Sequence, residues 1–157
     1  MNISNGVTVT FIPNVNNSPV VWLVQSNVVI NGVVDVSGQT SSTSTAGLGG
    51  PGGWRGGNGG SIPASGQGPG GGIAGLVGGS ASATFGPANY CNSFLIPLLG
   101  GSGGGAITNG TGGGGGGGAI LIAASQTIAV NGSVLASGGQ GVFVNYVGIA
   151  GGGVEVQ

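Results

Sequence analysis

The stretch Val28-Val29-Ile30-Asn31-Gly32-Val33-Val34-Asp35-Val36-Ser37-Gly38 returns one hundred residues later as Ile128-Ala129-Val130-Asn131-Gly132-Ser133-Val134-Leu135-Ala136-Ser137-Gly138. Five of the eleven positions are identical. At alternate positions Val28, Ile30, Gly32, Val34 and Val36 lie over Ile128, Val130, Gly132, Val134 and Ala136, apolar or glycine in both copies. The intervening positions mix Asn, Ser, Asp, Val, Ala and Leu. Side chains alternate across an extended chain, so each copy reads as strand with one face toward a core. The two copies are therefore expected at equivalent places in the fold. Asn-Gly also suits the two-residue turn of a hairpin, which would split each copy into two short strands. Both readings produce one apolar face, and parity leaves them both open.

Outward from each copy the pattern continues. Val20-Val21-Trp22-Leu23-Val24 precedes the first copy and Ala119-Ile120-Leu121-Ile122-Ala123-Ala124 the second, each across a short polar step. The repeating unit is strand, turn, strand. Further strands are expected at residues 7–12, 142–147 and 154–156, where β-branched and aromatic residues dominate. No long stretch keeps a 3.6-residue period free of glycine, proline and β-branched residues, so no substantial α-helix is expected. The fold class is all-β, with strand flanks arranged as a sandwich or a short β-helix.

Between the flanks lies a different composition. Residues 47–118 hold 31 of the 42 glycines, which divides a single domain into a β flank (1–40), a glycine-rich centre (41–118) and a second β flank (119–157). A centre of this length is too long for a structureless loop in a compact domain. Runs such as Gly-Gly-Pro-Gly-Gly-Trp-Arg-Gly-Gly-Asn-Gly-Gly at residues 49–60 and seven glycines at 112–118 suit extended helices of three residues per turn, here called polyglycine II. Such helices make no internal hydrogen bonds, so their amides and carbonyls must pair with neighbouring chain. The centre is expected to be polyglycine II or irregular, with glycine as the packing residue.

Charge narrows the function. Arg55 is the only base and Asp35 and Glu155 the only acids, so 2% of residues are charged against about 25% in ordinary soluble domains. A lone arginine cannot neutralise several phosphates, which argues against a nucleic-acid partner. A neutral surface also lacks the repulsion that keeps copies apart. No apolar run approaches the roughly 20 residues needed to cross a bilayer, and no secretory leader is visible. Cys91 stands alone, which leaves a buried thiol or an interchain bridge.

Residues 117–124 and 128–139 resemble repeats in bacterial surface proteins, including filamentous-haemagglutinin-like adhesins; that resemblance implies extracellular β-rich shafts and attachment. The glycine-rich centre is similar to the polyglycine II bundles of some phage tail adhesins and of the snow-flea type of antifreeze protein. The chain departs from the long adhesins in having two visible copies, and from the antifreeze proteins in lacking a regular Gly-X-X period.

Few catalytic options are left. Histidine and lysine are absent, which removes common general bases, Schiff-base chemistry and imidazole metal ligands. Asp35 and Glu155 are the sole candidates for a glycosidase carboxylate pair, and their bland roles are a solvated strand residue and a near-terminal one. The glycine runs lack the Lys-Ser/Thr ending of a phosphate loop. No catalytic residue, cofactor or metal is expected, and the protein is read as a non-enzyme. Trp54-Arg55 is the pair best suited to recognition, the indole to stack on a sugar and the guanidinium to bind its hydroxyls or a carboxylate. Its plain alternative is an indole packed across glycine helices beside a solvated arginine, and Tyr90, Phe85 and Phe94 read as core or interface. Four Asn-X-Ser/Thr sequons, at Asn2, Asn16, Asn109 and Asn131, matter only in a secreted glycoprotein.

The leading expectation is a structural subunit of an extracellular, cell-surface or virion-surface filament, fibre or sheath that self-assembles through strand and polyglycine pairing. The alternative is an adhesin or phage tail-tip binding module in which Trp54 and Arg55 meet a glycan or surface protein.

Overall fold

The computed structural model describes residues 1–75, 90, 94–108 and 111–142. All but the first residue of the strand expected at 142–147, the strand expected at 154–156, Cys91, Phe85, Glu155 and the asparagine of the Asn109 sequon lie outside the described residues. Among the described residues there is no helix, and the class is all-β.

Eight short strands follow in chain order: β1 (Asn2–Ile3), β2 (Thr8–Thr10), β3 (Val20–Val24), β4 (Val28–Ile30), β5 (Val33–Asp35), β6 (Ile120–Ala124), β7 (Ile128–Val130) and β8 (Ser133–Leu135). They form three sheets, β1-β4-β7, β2-β5-β8 and β3-β6, and every pair is parallel. Consecutive strands fall on different sheets, and each strand of the third group lies on its counterpart from the second. Of the two arrangements considered, this is the short β-helix: β1–β2 make a first coil, β3–β5 a second and β6–β8 a third.

The offset of one hundred seen in the sequence is the register of the ladder. Val20 lies beside Ile120, Val28 beside Ile128 and Val33 beside Ser133. Asn31-Gly32 is neither a hairpin turn nor a strand position. It is the corner at which the chain leaves one sheet for the next, and Asn131-Gly132 stacks on it. At that corner the next coil passes so close that a Cβ on Gly132 would sit 1.9 Å from the carbonyl oxygen of Gly32. Asn131 Nδ2 donates to Asn31 Oδ1 at 2.9 Å, and the Thr127 and Ser137 amides donate to the side chains of Asn27 and Ser37. Asn131 thus stacks on Asn31 and Ser137 on Ser37 along the coil edge.

The core is the interior of the coil. Ile3, Val28, Ile30 and Val34 are buried, with Val9, Phe11, Trp22, Val24, Ile120, Ile122 and Ala124 packed against them. Phe11 and Trp22 meet with ring centroids 5.5 Å apart. The first coil is a third, altered copy of the repeat: Ile3 pairs with Ile30 and Thr8 with Val33, but four residues span its corner where two suffice above. Gly6, at a φ of 79°, turns that wider corner.

The chain leaves the coil after Gly38 and returns at Ala119. Residues 112–118 run through the middle of what lies between. The amides of Gly113 and Gly116 donate to the carbonyls of Gly57 and Trp54, and those of Gly115 and Gly118 to Gln39 and Val36. The carbonyls of Gly113 and Gly116 accept from Gly47 and Gly50, and those of Gly114 and Gly117 from Gly104 and Gly101. Every partner shifts by three residues along its own segment, forward in one series and backward in the other three. The glycines allow this approach: a Cβ would lie 2.0 Å from the Gly104 oxygen at Gly113, 1.8 Å from the Gly101 oxygen at Gly116 and 2.0 Å from the Ala136 oxygen at Gly117. Gly115 joins the two coil copies, donating to Gln39 and accepting from Gly139.

Candidate functional site

Trp54 and Arg55 sit on the rim of the glycine array, both half-buried. The Trp54 backbone is part of the array, donating to Gly101 and accepting from Gly116. Its indole meets Tyr90 edge to face at 6.1 Å and lies over Gly68, where a Cβ would come within 2.8 Å of the ring. Tyr90 is in turn tied down: its hydroxyl donates to the Gly100 carbonyl and accepts from Ser102 Oγ, both at 3.0 Å, while Ser102 Oγ accepts from the Gly70 amide. Arg55 engages a different neighbour, donating from Nη2 to Asn58 Oδ1 at 2.6 Å, and its Nε is buried without a hydrogen-bond partner. Asn58 Oδ1 also accepts the Ala46 amide. Adjacent in sequence, the indole and the guanidinium therefore serve separate contacts.

Asp35 is on the outward face of β5 and accepts the Ser37 amide at 2.8 Å, holding the bend that follows the strand. Phe94 is exposed. Among the described residues no helix is long and apolar enough to cross a membrane.

Sequence reasoning passed over the ends of the coil. Val28, Ile30 and Val34 are each 0% exposed, whereas Ile128, Val130 and Val134, their equivalents one coil later, are 44%, 49% and 38% exposed. The residue types and parity are the same. Only the neighbour differs, because among the described residues β7 and β8 are the last strands of their sheets. At the other end β1 and β2 are the first strands of the same two sheets. Val28, Val36 and Gly38 donate their amides to Thr127, Leu135 and Ser137 of the coil above. By the same register Ile128, Ala136 and Gly138 stand at the outer edge of the ladder. Among the described residues two edges of opposite sense thus bound the ladder, and neither edge carries a charged side chain. A further apolar surface, Val21, Leu23 and Leu121, is exposed on the outer face of β3–β6.

Comparison with protein-family models, with curated proteins and with solved structures gives no match.

Proposed function

We propose that this chain is a structural subunit of an extracellular, cell-surface or virion-surface filament, fibre or sheath, and that its partner is another copy of itself. On this reading it works by shape and association and catalyses nothing. The observation that supports it is the pair of parallel edges without charged side chains, β1–β2 and β7–β8, which among the described residues lie at opposite ends of one ladder. Natural monomers blunt such edges with lysine, inward-pointing charge or a covering element. This chain has no lysine and three charged residues in all. Apolar area left on Ile128, Val130 and Val134 is worth about 25 cal/mol per Å² when covered, and the rigid ladder adds backbone hydrogen bonds already aligned for a partner.

Light scattering and negative-stain microscopy of the purified chain at micromolar concentration test this reading. Regular particles much heavier than one chain are expected. A stable, monodisperse species of 14.5 kDa would overturn it.

A further inference from the structure

We infer that copies join head to tail along the coil axis, the β7–β8 edge of one chain receiving the β1–β2 edge of the next in the register of the internal ladder. The inference rests on the self-assembly reading above and specifies its interface and polarity. Inside the chain the same contact is already made twice: β4 receives β1 and β7 receives β4, while β5 receives β2 and β8 receives β5, all parallel. A second copy placed on β7–β8 would make that contact a third time. Ile128, Val130 and Val134 would take the places that Val28, Ile30 and Val34 hold beneath the third coil, where exposure falls to 0%. Ile3 and Val9 of the incoming copy supply the apolar cover, since they already pack on the core from their other side.

The occupant follows from polarity. A parallel ladder has two unlike edges, and its growing edge is completed by a parallel strand pair whose corner packs on Asn131-Gly132, as the wider corner of the first coil already packs on Gly32 through the carbonyls of Ser4 and Val7. The first coil of another copy offers one, with an Asn-Gly corner at Asn5-Gly6 to stack over Asn131-Gly132. The first coil has no strand on the face of β3–β6, so the junction uses two faces. Such a heterologous contact does not close on itself by a two-fold axis; repeated, it generates an open filament.

Register supplies the test. Thr8, Val33 and Ser133 form one outward-facing row. Within a chain Thr8 and Ser133 are two coils apart, about 9.6 Å at ordinary strand spacing, too far for a disulfide. Across the proposed junction Ser133 of one copy and Thr8 of the next are one spacing apart, about 4.8 Å, which a disulfide spans. In a Cys91→Ser background, Thr8→Cys and Ser133→Cys are prepared separately and oxidised alone and mixed. Disulfide dimers are expected from the mixture and from neither variant alone. In parallel Val130→Lys, at a half-exposed position, is expected to keep its far-ultraviolet spectrum and cooperative melting and to lose every species heavier than the monomer. Dimers from either cysteine variant alone overturn the head-to-tail polarity. Full assembly by Val130→Lys without an 8–133 cross-link overturns the coil-end interface while leaving the self-assembly reading standing. A wild-type chain that stays monomeric, its coil end covered from within, overturns both.

Discussion

Residues 28–38 and 128–138 share an apolar parity, an Asn-Gly corner and a register, yet one copy is sealed and the other open. Val34 is 0% exposed and Val134 38%. What distinguishes them is position in a stack: among the described residues the second coil has neighbours on both sides and the third on one. Burial in a coil is therefore a property of succession. A strand with a single apolar face needs side-by-side cover from the sheets around the core and end-on cover from the coils above and below. Only the first of these is provided for the third coil by its own three faces.

The most severe way to break the pairing of the two copies is through the seven-glycine run that bridges them. Gly117→Val places a branched side chain where a Cβ alone would stand 2.0 Å from the Ala136 oxygen. The neighbour is backbone, which cannot rotate aside, and the expected loss is about 3 kcal/mol or more. Denaturant unfolding measures it; an unchanged midpoint would show residues 112–118 to be a passive linker.

A smaller effect sharpens the comparison directly. Val34→Ala is expected to cost about 2 kcal/mol through lost burial and the cavity left behind. Val134→Ala in the monomer should cost under half as much, because much of its surface is already in water. If assembly covers the third coil, the two losses converge when melting is followed at assembling concentrations. Equal losses in a dilute monomer would contradict the exposure difference.

Asn131→Ala removes the side-chain bond to Asn31 and should cost about 0.5–1 kcal/mol, as a partly solvated hydrogen bond does. Asn31→Ala removes the same bond, so the double variant should fall short of the sum of the two single ones by a few tenths of a kcal/mol. Strict additivity would mean that the stacked amides contribute nothing to each other.

The smallest expected effect is that of salt. With Asp35, Arg55 and Glu155 as the only charged side chains, raising ionic strength from about 0.05 to 0.5 M shortens the Debye length but has little to screen. Melting temperature and assembled mass should stay nearly constant. A steep salt dependence would point to an electrostatic contact that these three side chains do not supply.

Much of this architecture was legible in the chain. The alternation through Val28, Ile30, Gly32, Val34 and Val36 identified the inward face, and all five are buried. The first coil was hidden because its corner is two residues longer, which shifts Thr8-Val9-Thr10 out of phase with Val33-Val34-Asp35 when the sequences are simply overlaid. Its signals were present in Ile3 and in a further Asn-Gly at residues 5–6, but the match becomes visible only when the ladder supplies the register. Trp54 and Arg55 were singled out by their isolation among glycines. Their separate attachments, to Tyr90 and Gly68 on one hand and Asn58 on the other, join residues with no local pattern in common.

By itself the sequence determined what depends on residue type and local spacing: extended chain with one apolar face, an absence of helix-forming stretches, a neutral surface and a centre whose backbones lie too close for side chains. The tertiary structure decided what depends on which segments meet. It stacked the two copies in parallel instead of opposing them across a sandwich, made Asn-Gly a corner instead of a hairpin, and, among the described residues, placed one copy at the end of the ladder. The physical reason is that parity specifies which way a side chain points relative to its own strand. It carries no information on which strand lies alongside, and that choice is made by backbone pairing across the intervening glycine-rich segment.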